Sequence, residues 1–169
     1  MAAFTLSAFA GAHEMASGII ERVLALNPNS AHAWMASGWV SCFRNRPDHA
    51  IEAFHRAVRL SPYDLLGFAF TGGLALAYLC TGRYEVAKEW ADRAVREQPR
   101  SSLVVRSKVA ACAYLGYLDE AREWLKRMLE LEPGVTIARW KASHPAQSIS
   151  AEIVEMLAED LRKAGLPEE

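Results

Sequence analysis

The sequence predicts an all-α solenoid built from repeated pairs of helices. Four prolines follow one another at intervals of 34, 37 and 34 residues: Pro28, Pro62, Pro99 and Pro133. Each proline closes a similar segment, with an alanine twelve residues before it and a glycine or asparagine seventeen residues before it. Self-similarity at a fixed period of about 20–50 residues is typical of stacked repeats, each too small to bury its own apolar face.

Each recurring position has a physical reason. The alanines are Ala16, Ala50, Ala87 and Ala121. They predict close approach of two helices, where a larger side chain would cost about 1–3 kcal/mol through overpacking. The residues that precede each second helix are Gly11, Asn45, Gly82 and Gly116. Glycine and asparagine tolerate the left-handed conformation that ends a helix, and a proline cannot continue the helix before it.

The middle and the end of the chain depart from this repeat pattern. The third copy is three residues longer near "DLLGFAF", and we expect the extra residues to lengthen its first helix by about one turn. After Pro133, residues 136–149 read as a connector. Residues 150–164 then place Ile153, Leu157 and Leu161 on one helix face. This pattern predicts a capping helix over the apolar end of the last repeat.

The second copy resembles the tetratricopeptide repeat. The matching residues are Trp34, Gly38, Ala50, Phe54, Ala57 and Pro62. The resemblance implies a right-handed superhelix that forms a single domain over residues 1–169. Its repeats would cover about residues 1–30, 31–64, 65–101 and 102–135.

Residues 30–169 are also similar to the C-terminal repeat region of bacterial regulatory proteins. These include adenylate/guanylate cyclase-like proteins and winged-helix regulators, in which a catalytic or DNA-binding domain precedes the repeats. The resemblance rests on the insertion after "RLSP" and on the ending "LRKAGLPE". It implies a regulatory interaction module and transfers no catalytic residue.

The composition narrows the classes of function. A net charge of −1 argues against a nucleic-acid partner, which would need a basic surface. No apolar stretch reaches the roughly 18 residues that a membrane span needs. Three cysteines lie in apolar helical segments without metal-ligand spacing, so we expect buried, reduced thiols and a cytoplasmic location. No catalytic or phosphate-binding motif is present, which predicts a protein that is not an enzyme and has no cofactor or metal.

In the tetratricopeptide family the first helices of the pairs line a concave groove that commonly binds peptides. Carried over by position, the groove residues are His32, Met35, Trp39, Phe43, Ala69, Gly72, Gly73, Leu76, Arg106, Ser107, Ala110 and Tyr114. This lining lacks the Lys and Asn set with which chaperone-binding members hold a terminal carboxylate. We expect an apolar or amphipathic peptide, anchored by Trp39, Met35 and Tyr114, with Arg106 as a polar latch.

Several alternatives stand beside this prediction. The aromatic residues could pack between helices, or the C-terminal helix could cover them. Only ten residues, Met1–Ala10, precede Gly11 in the first copy, so an incomplete first repeat could pair two chains into a homodimer. The chain could also be the regulatory tail of a larger cyclase or transcription regulator.

Overall fold

The computed structural model describes residues 13–144 and 149–169, and all regular structure in these ranges is helical. The helices are α1 (His13–Leu26), α2 (Ala31–Phe43), α3 (Pro47–Leu60), α4 (Gly67–Cys80), α5 (Tyr84–Glu97), α6 (Ser102–Tyr114), α7 (Leu118–Leu131), α8 (Ile137–Ala142) and α9 (Ala151–Ala164). Within these ranges, no helix combines the length and apolar character that a bilayer span requires.

The helices pack as stacked antiparallel pairs. Helix α2 packs on α3, α4 on α5 and α6 on α7, and each pair packs on the next through α3–α4 and α5–α6. The first helices α2, α4 and α6 also contact one another in sequence and form one face. Helix α9 then packs on both α6 and α7. The predicted solenoid with its C-terminal capping helix is confirmed.

The turns inside the pairs have the predicted left-handed residues. Asn45, Gly82 and Gly116 have φ angles of 54°, 72° and 79° and join α2 to α3, α4 to α5 and α6 to α7. Gly11, the corresponding residue of the first copy, lies outside the described residues. All four recurring alanines are fully buried, as expected for sites of close helix approach.

One aromatic ring fills the contact between the second and third pairs. Phe54 of α3 is fully buried and lies against Gly38 of α2 and Gly73 of α4. A Cβ atom at Gly38 would lie 2.7 Å from the ring, and one at Gly73 would overlap it. Both glycines therefore make room for Phe54, and this need outweighs the cost of glycine inside a helix, about 1 kcal/mol each.

The three-residue insertion lies mainly in a loop, which corrects the predicted extra helical turn. Helix α4 has 14 residues, against 13 in α2 and α6. The 61–66 loop before α4 has six residues, whereas the 27–30 and 98–101 loops have four. The additional residues therefore lengthen mainly the surface loop.

A buried charge network joins the last two pairs. Lys108 of α6 is almost fully buried and forms ion pairs with Asp92 of α5 and Glu120 of α7. Buried charges are tolerated when they are paired, so this lysine lies in the core without an unpaired charge. All three cysteines are free, and burial raises the pKa of Cys80 to about 12.

Substitution of Gly73 tests the close packing around Phe54. We expect Gly73→Ala to lower the free energy of unfolding by about 1–3 kcal/mol, because the new methyl group overpacks the ring. Gly18→Ala in α1 is the matched control, since no described atom would lie within 4 Å of its Cβ. The control should gain up to about 1 kcal/mol from helix propensity. Urea unfolding of both variants measures the difference, and equal stabilisation would contradict this packing.

Candidate functional site

The C-terminal segment meets both ends of the face formed by α2, α4 and α6. The backbone N–H of Ser150, just before α9, donates a hydrogen bond of 3.0 Å to the carbonyl of Phe43 at the end of α2. Near the other end of α9, the Lys163 ammonium lies 5.2 Å from the Tyr114 ring centre at the end of α6. A helix of this length spans about 20 Å. Helix α9 therefore connects the C-terminal ends of α2 and α6.

Most of the predicted groove residues are buried. They are Met35, Trp39, Gly72, Gly73, Leu76, Ser107 and Ala110. Trp39 exposes 2% of its surface, and its ring packs edge-on against Phe54 with the centroids 5.4 Å apart. The prediction that Trp39 and Met35 are exposed anchors is corrected, because these side chains belong to the helix-packing core.

The two adjacent glycines of α4 make room for neighbouring helices. A Cβ atom at Gly72 would lie 2.8 Å from the Val104 side chain of α6, while one at Gly73 would meet Phe54 of α3. The geometry assigns them to the contacts of α4 with its two neighbours.

Two predicted residues remain well exposed, at opposite ends of the face. His32, in the first turn of α2, lies 3.5 Å from the Asp64 carboxylate. Tyr114 exposes 47% of its surface and stacks on Tyr84, with ring centroids 3.3 Å apart. Phe43 and Ala69 are partly buried. The structure therefore does not bring the exposed members of the predicted set together.

Arg106 is occupied by contacts within the protein. Its guanidinium donates to both carboxylate oxygens of Glu132 at 3.1 and 3.3 Å and lies 5.5 Å from the Trp140 ring centre. Burial lowers the pKa of Arg106, while Glu132 opposes that shift. Arg106 therefore already has one carboxylate partner within the protein, and its role as a polar latch for a peptide stays a prediction.

An exposed surface that the sequence analysis missed lies in the 61–66 loop. Tyr63 and Leu65 expose 96% and 98% of their surfaces. Between them, the Asp64 carboxylate accepts hydrogen bonds from the backbone N–H of Leu66 at 2.9 Å and from the Ser61 hydroxyl at 3.0 Å. These bonds hold the loop in a turn and lower the pKa of Asp64, the Leu66 N–H contributing most. The three-residue insertion was the signal for this loop.

We name the surface formed by His32, Tyr63, Asp64 and Leu65 the insertion surface. It lies at the start of α2, whereas Ser150 and α9 approach the other end of that helix. It joins two exposed apolar side chains to one acidic and one imidazole group. Such a mixture suits recognition of another protein better than covalent chemistry.

Among residues 13–144 and 149–169, no group of three or more His, Cys, Asp and Glu side chains could hold a metal ion. Two histidines instead join helices through hydrogen bonds. His49 lies 2.9 Å from the Ser41 hydroxyl, and His55 lies 2.9 Å from the Tyr78 hydroxyl. These contacts connect α3 to α2 and to α4, and they account for the two histidines structurally.

Comparison with known families agrees with the repeated helix pairs of the structure. A family model described as "Tetratricopeptide repeat" matches residues 10–64, 43–102 and 73–136 in three overlapping segments. A curated relative, a CTR9 homolog protein of Arabidopsis thaliana, is 28% identical over 101 residues, or 59% of this chain. The chain spans only 9% of that protein's length.

Solved structures share the fold. PilW, a type IV pilus biogenesis factor, superposes with a TM-score of 0.70 at 17% identity, covering 95% of this chain and 73% of PilW. The second tetratricopeptide domain of human RPAP3, in complex with an HSP70 peptide, superposes with a TM-score of 0.56 at 22% identity. That match covers 80% of this chain and 98% of the human domain.

Substitution of Trp39 by alanine tests whether this residue belongs to the core or is an exposed anchor. We expect Trp39→Ala to lower the free energy of unfolding by about 3–5 kcal/mol, because it leaves a cavity beside Phe54. Tyr114→Ala, at the exposed end of the face, should cost clearly less. Chemical denaturation of both variants measures this difference, and a mild effect at Trp39 would show that its ring is not part of the core.

Proposed function

This chain belongs to the tetratricopeptide repeat family, and on that premise we propose that it acts as a protein-interaction module without catalytic activity. The human RPAP3 domain with the same fold is in complex with a peptide. In this chain, the stacked helix pairs provide a rigid frame that holds surface residues in place. Such preorganisation lowers the entropic cost of binding.

We place the partner contact on the insertion surface, which lies at the end of α2 away from Ser150 and α9. The observation that carries this proposal is the exposure of Tyr63 and Leu65 in a loop whose turn is held by Asp64. Exposed aromatic and aliphatic side chains on a fixed backbone are the usual anchors of protein interfaces. The partner is an apolar or amphipathic segment of another protein, and the role of the module is regulatory.

The proposal also covers the class of partner and the cellular compartment. The partner is a polypeptide rather than a nucleic acid, and the compartment is the cytoplasm, where the three free thiols stay reduced. The module could serve as the regulatory part of a larger polypeptide, as repeats do in many multidomain proteins. Identification of the native polypeptide's length tests this last point.

The substitution Leu65→Glu, which introduces a negative charge, tests the insertion surface. Because this side chain is 98% exposed, the substitution should leave thermal stability unchanged while removing an anchor. We expect loss of a discrete partner that the wild-type chain captures from a lysate of the source organism. The matched control is Leu26→Glu at the end of α1, a leucine that is 89% exposed, and this variant should retain the partner. Equal capture by both variants would place binding elsewhere.

Self-association is a second candidate function, and one observation favours it. Met15, Ile19 and Val23 lie four residues apart on α1 and expose 61%, 37% and 40% of their surfaces. An exposed apolar stripe at this spacing is typical of a helix that packs against another helix. The stripe could pair two chains through their first repeats.

Sedimentation velocity over a range of concentrations tests self-association. If the α1 stripe pairs two chains, the wild-type protein should form a dimer whose fraction rises with concentration. Val23→Lys should shift the protein to monomer without loss of helicity. A wild-type chain that stays monomeric at every concentration would exclude this function while leaving the insertion surface untouched.

A further inference from the structure

A cavity of about 560 Å³ lies where α8 returns to the start of α6. Its wall is formed by Arg106, Glu132, Pro133, Gly134, Val135, Arg139, Trp140, Ser143 and His144. These residues come from α6, from the turn after α7 and from α8 with the two residues that follow it. The volume is within the range of small-molecule sites, about 300–1,000 Å³. Only Arg106 is shared with the predicted groove.

Two side chains in the wall of this cavity have a buried N–H group that lacks a hydrogen-bond acceptor. The Nε1–H of Trp140 and the Nε–H of Arg106 find no hydrogen-bond partner in the described structure. Trp140 exposes 2% of its surface, and the guanidinium carbon of Arg106 lies 5.5 Å from its ring centre. Buried donors are almost always paired in native proteins. Two such donors on neighbouring side chains of one cavity therefore indicate a missing acceptor.

The other polar groups of the wall already have partners within the protein. Arg139 donates to the carbonyl of Gly134 at 2.8 Å, and Ser143 donates to the carbonyl of Trp140 at 2.7 Å. The ring nitrogen Nδ1 of His144 lies 2.8 Å from the same Trp140 carbonyl. Burial lowers the pKa of His144, which favours the neutral ring at pH 7. The local acceptors are therefore used, while Arg139 keeps further N–H groups for a ligand.

The charged side chains of the cavity wall indicate which ligands with hydrogen-bond acceptors would fit. Arg106 and Arg139 contribute two positive charges and Glu132 contributes one negative charge, so the wall has a net charge of about +1. One negative charge on the ligand would balance it. A doubly charged phosphate would be repelled by Glu132, which lies in the same wall. Val135, Pro133 and the indole of Trp140 add an apolar side to the cavity.

We propose that this cavity is a binding site for the carboxylate group of a small organic acid or of a polypeptide end. The carboxylate lies between Arg139 and Arg106, and a small turn of the Trp140 side chain brings its indole N–H to one ligand oxygen. An apolar substituent of the ligand packs against Val135 and Pro133. The site goes beyond the insertion surface, because it needs no residue of the 61–66 loop.

The indole N–H signals in ¹⁵N NMR spectra of the full chain provide a direct test. The signal that disappears in Trp140→Phe identifies Trp140 among the five tryptophans. The probes are N-acetyl-leucine, its uncharged amide N-acetyl-leucinamide, an octapeptide ending in leucine with a free or an amidated terminus, and inorganic phosphate. We expect N-acetyl-leucine to move the Trp140 signal downfield in a saturable manner, and the amide to leave it in place.

Two variants test whether an arginine of the cavity wall contributes to binding of N-acetyl-leucine. Arg139→Gln should weaken binding of N-acetyl-leucine about tenfold, the usual size of one charge-assisted hydrogen bond. Arg122→Gln on α7 is the matched control, since this exposed arginine pairs with Asp119 and is not part of the cavity wall. The control should bind like the wild type. Thermal unfolding of both variants confirms that they are folded.

The outcomes separate the proposal from its alternatives. Binding of the small acid alone supports a metabolite as the source of the carboxylate, and binding of the free-ended octapeptide supports a polypeptide end. The proposal is overturned if no probe moves the Trp140 signal, if acid and amide act alike, or if phosphate binds more tightly than N-acetyl-leucine. None of these results depends on capture of a protein through Leu65.

Discussion

The packing of Phe54 between two glycines is the constraint on which the solenoid depends. Its ring occupies the space that Gly38 and Gly73 leave between α2 and α4, and so sets the distance between two consecutive first helices. Gly72 then allows α4 to approach Val104 of α6 in the same way. Because interiors are close-packed, one additional methyl group at these contacts would overpack the helix pairs and destabilise the fold.

The last repeat and the capping helix each have a charged side chain in the core. The two side chains differ in how many partners of opposite charge they have. Lys108 has two carboxylate partners from neighbouring helices, Asp92 and Glu120. Asp160 of α9 is also buried, but it pairs only with Lys163 at 3.3 Å and keeps one oxygen without a donor in the described residues. Burial accordingly raises the pKa of Asp160. The repeats are thus joined by complete ion pairs, whereas the cap retains an unsatisfied acid.

The position of α9 decides which surfaces a partner can reach. It joins the ends of α2 and α6, through Ser150 and Lys163, on the side of the face away from the 61–66 loop. Two of the three predicted anchors, Trp39 and Met35, are buried, while Tyr63 and Leu65 extend from the opposite end. The chain thus presents its exposed apolar side chains on a loop and its unpaired buried donors in the cavity beside α8. Both features lie where the regular repeat pattern is interrupted.

The sequence by itself determined the repeat, its left-handed turns and its capping helix, because these follow from spacings along one chain. Asn45, Gly82 and Gly116 could be recognised without coordinates, since a helix end needs a residue that tolerates positive φ. Only the tertiary structure decided that Trp39 is core, that Arg106 is held by Glu132 and that Leu65 is exposed. Helical spacing places a side chain on a face, but which face becomes buried depends on residues far away in sequence, here on Phe54, Glu132 and the path of the chain into α9.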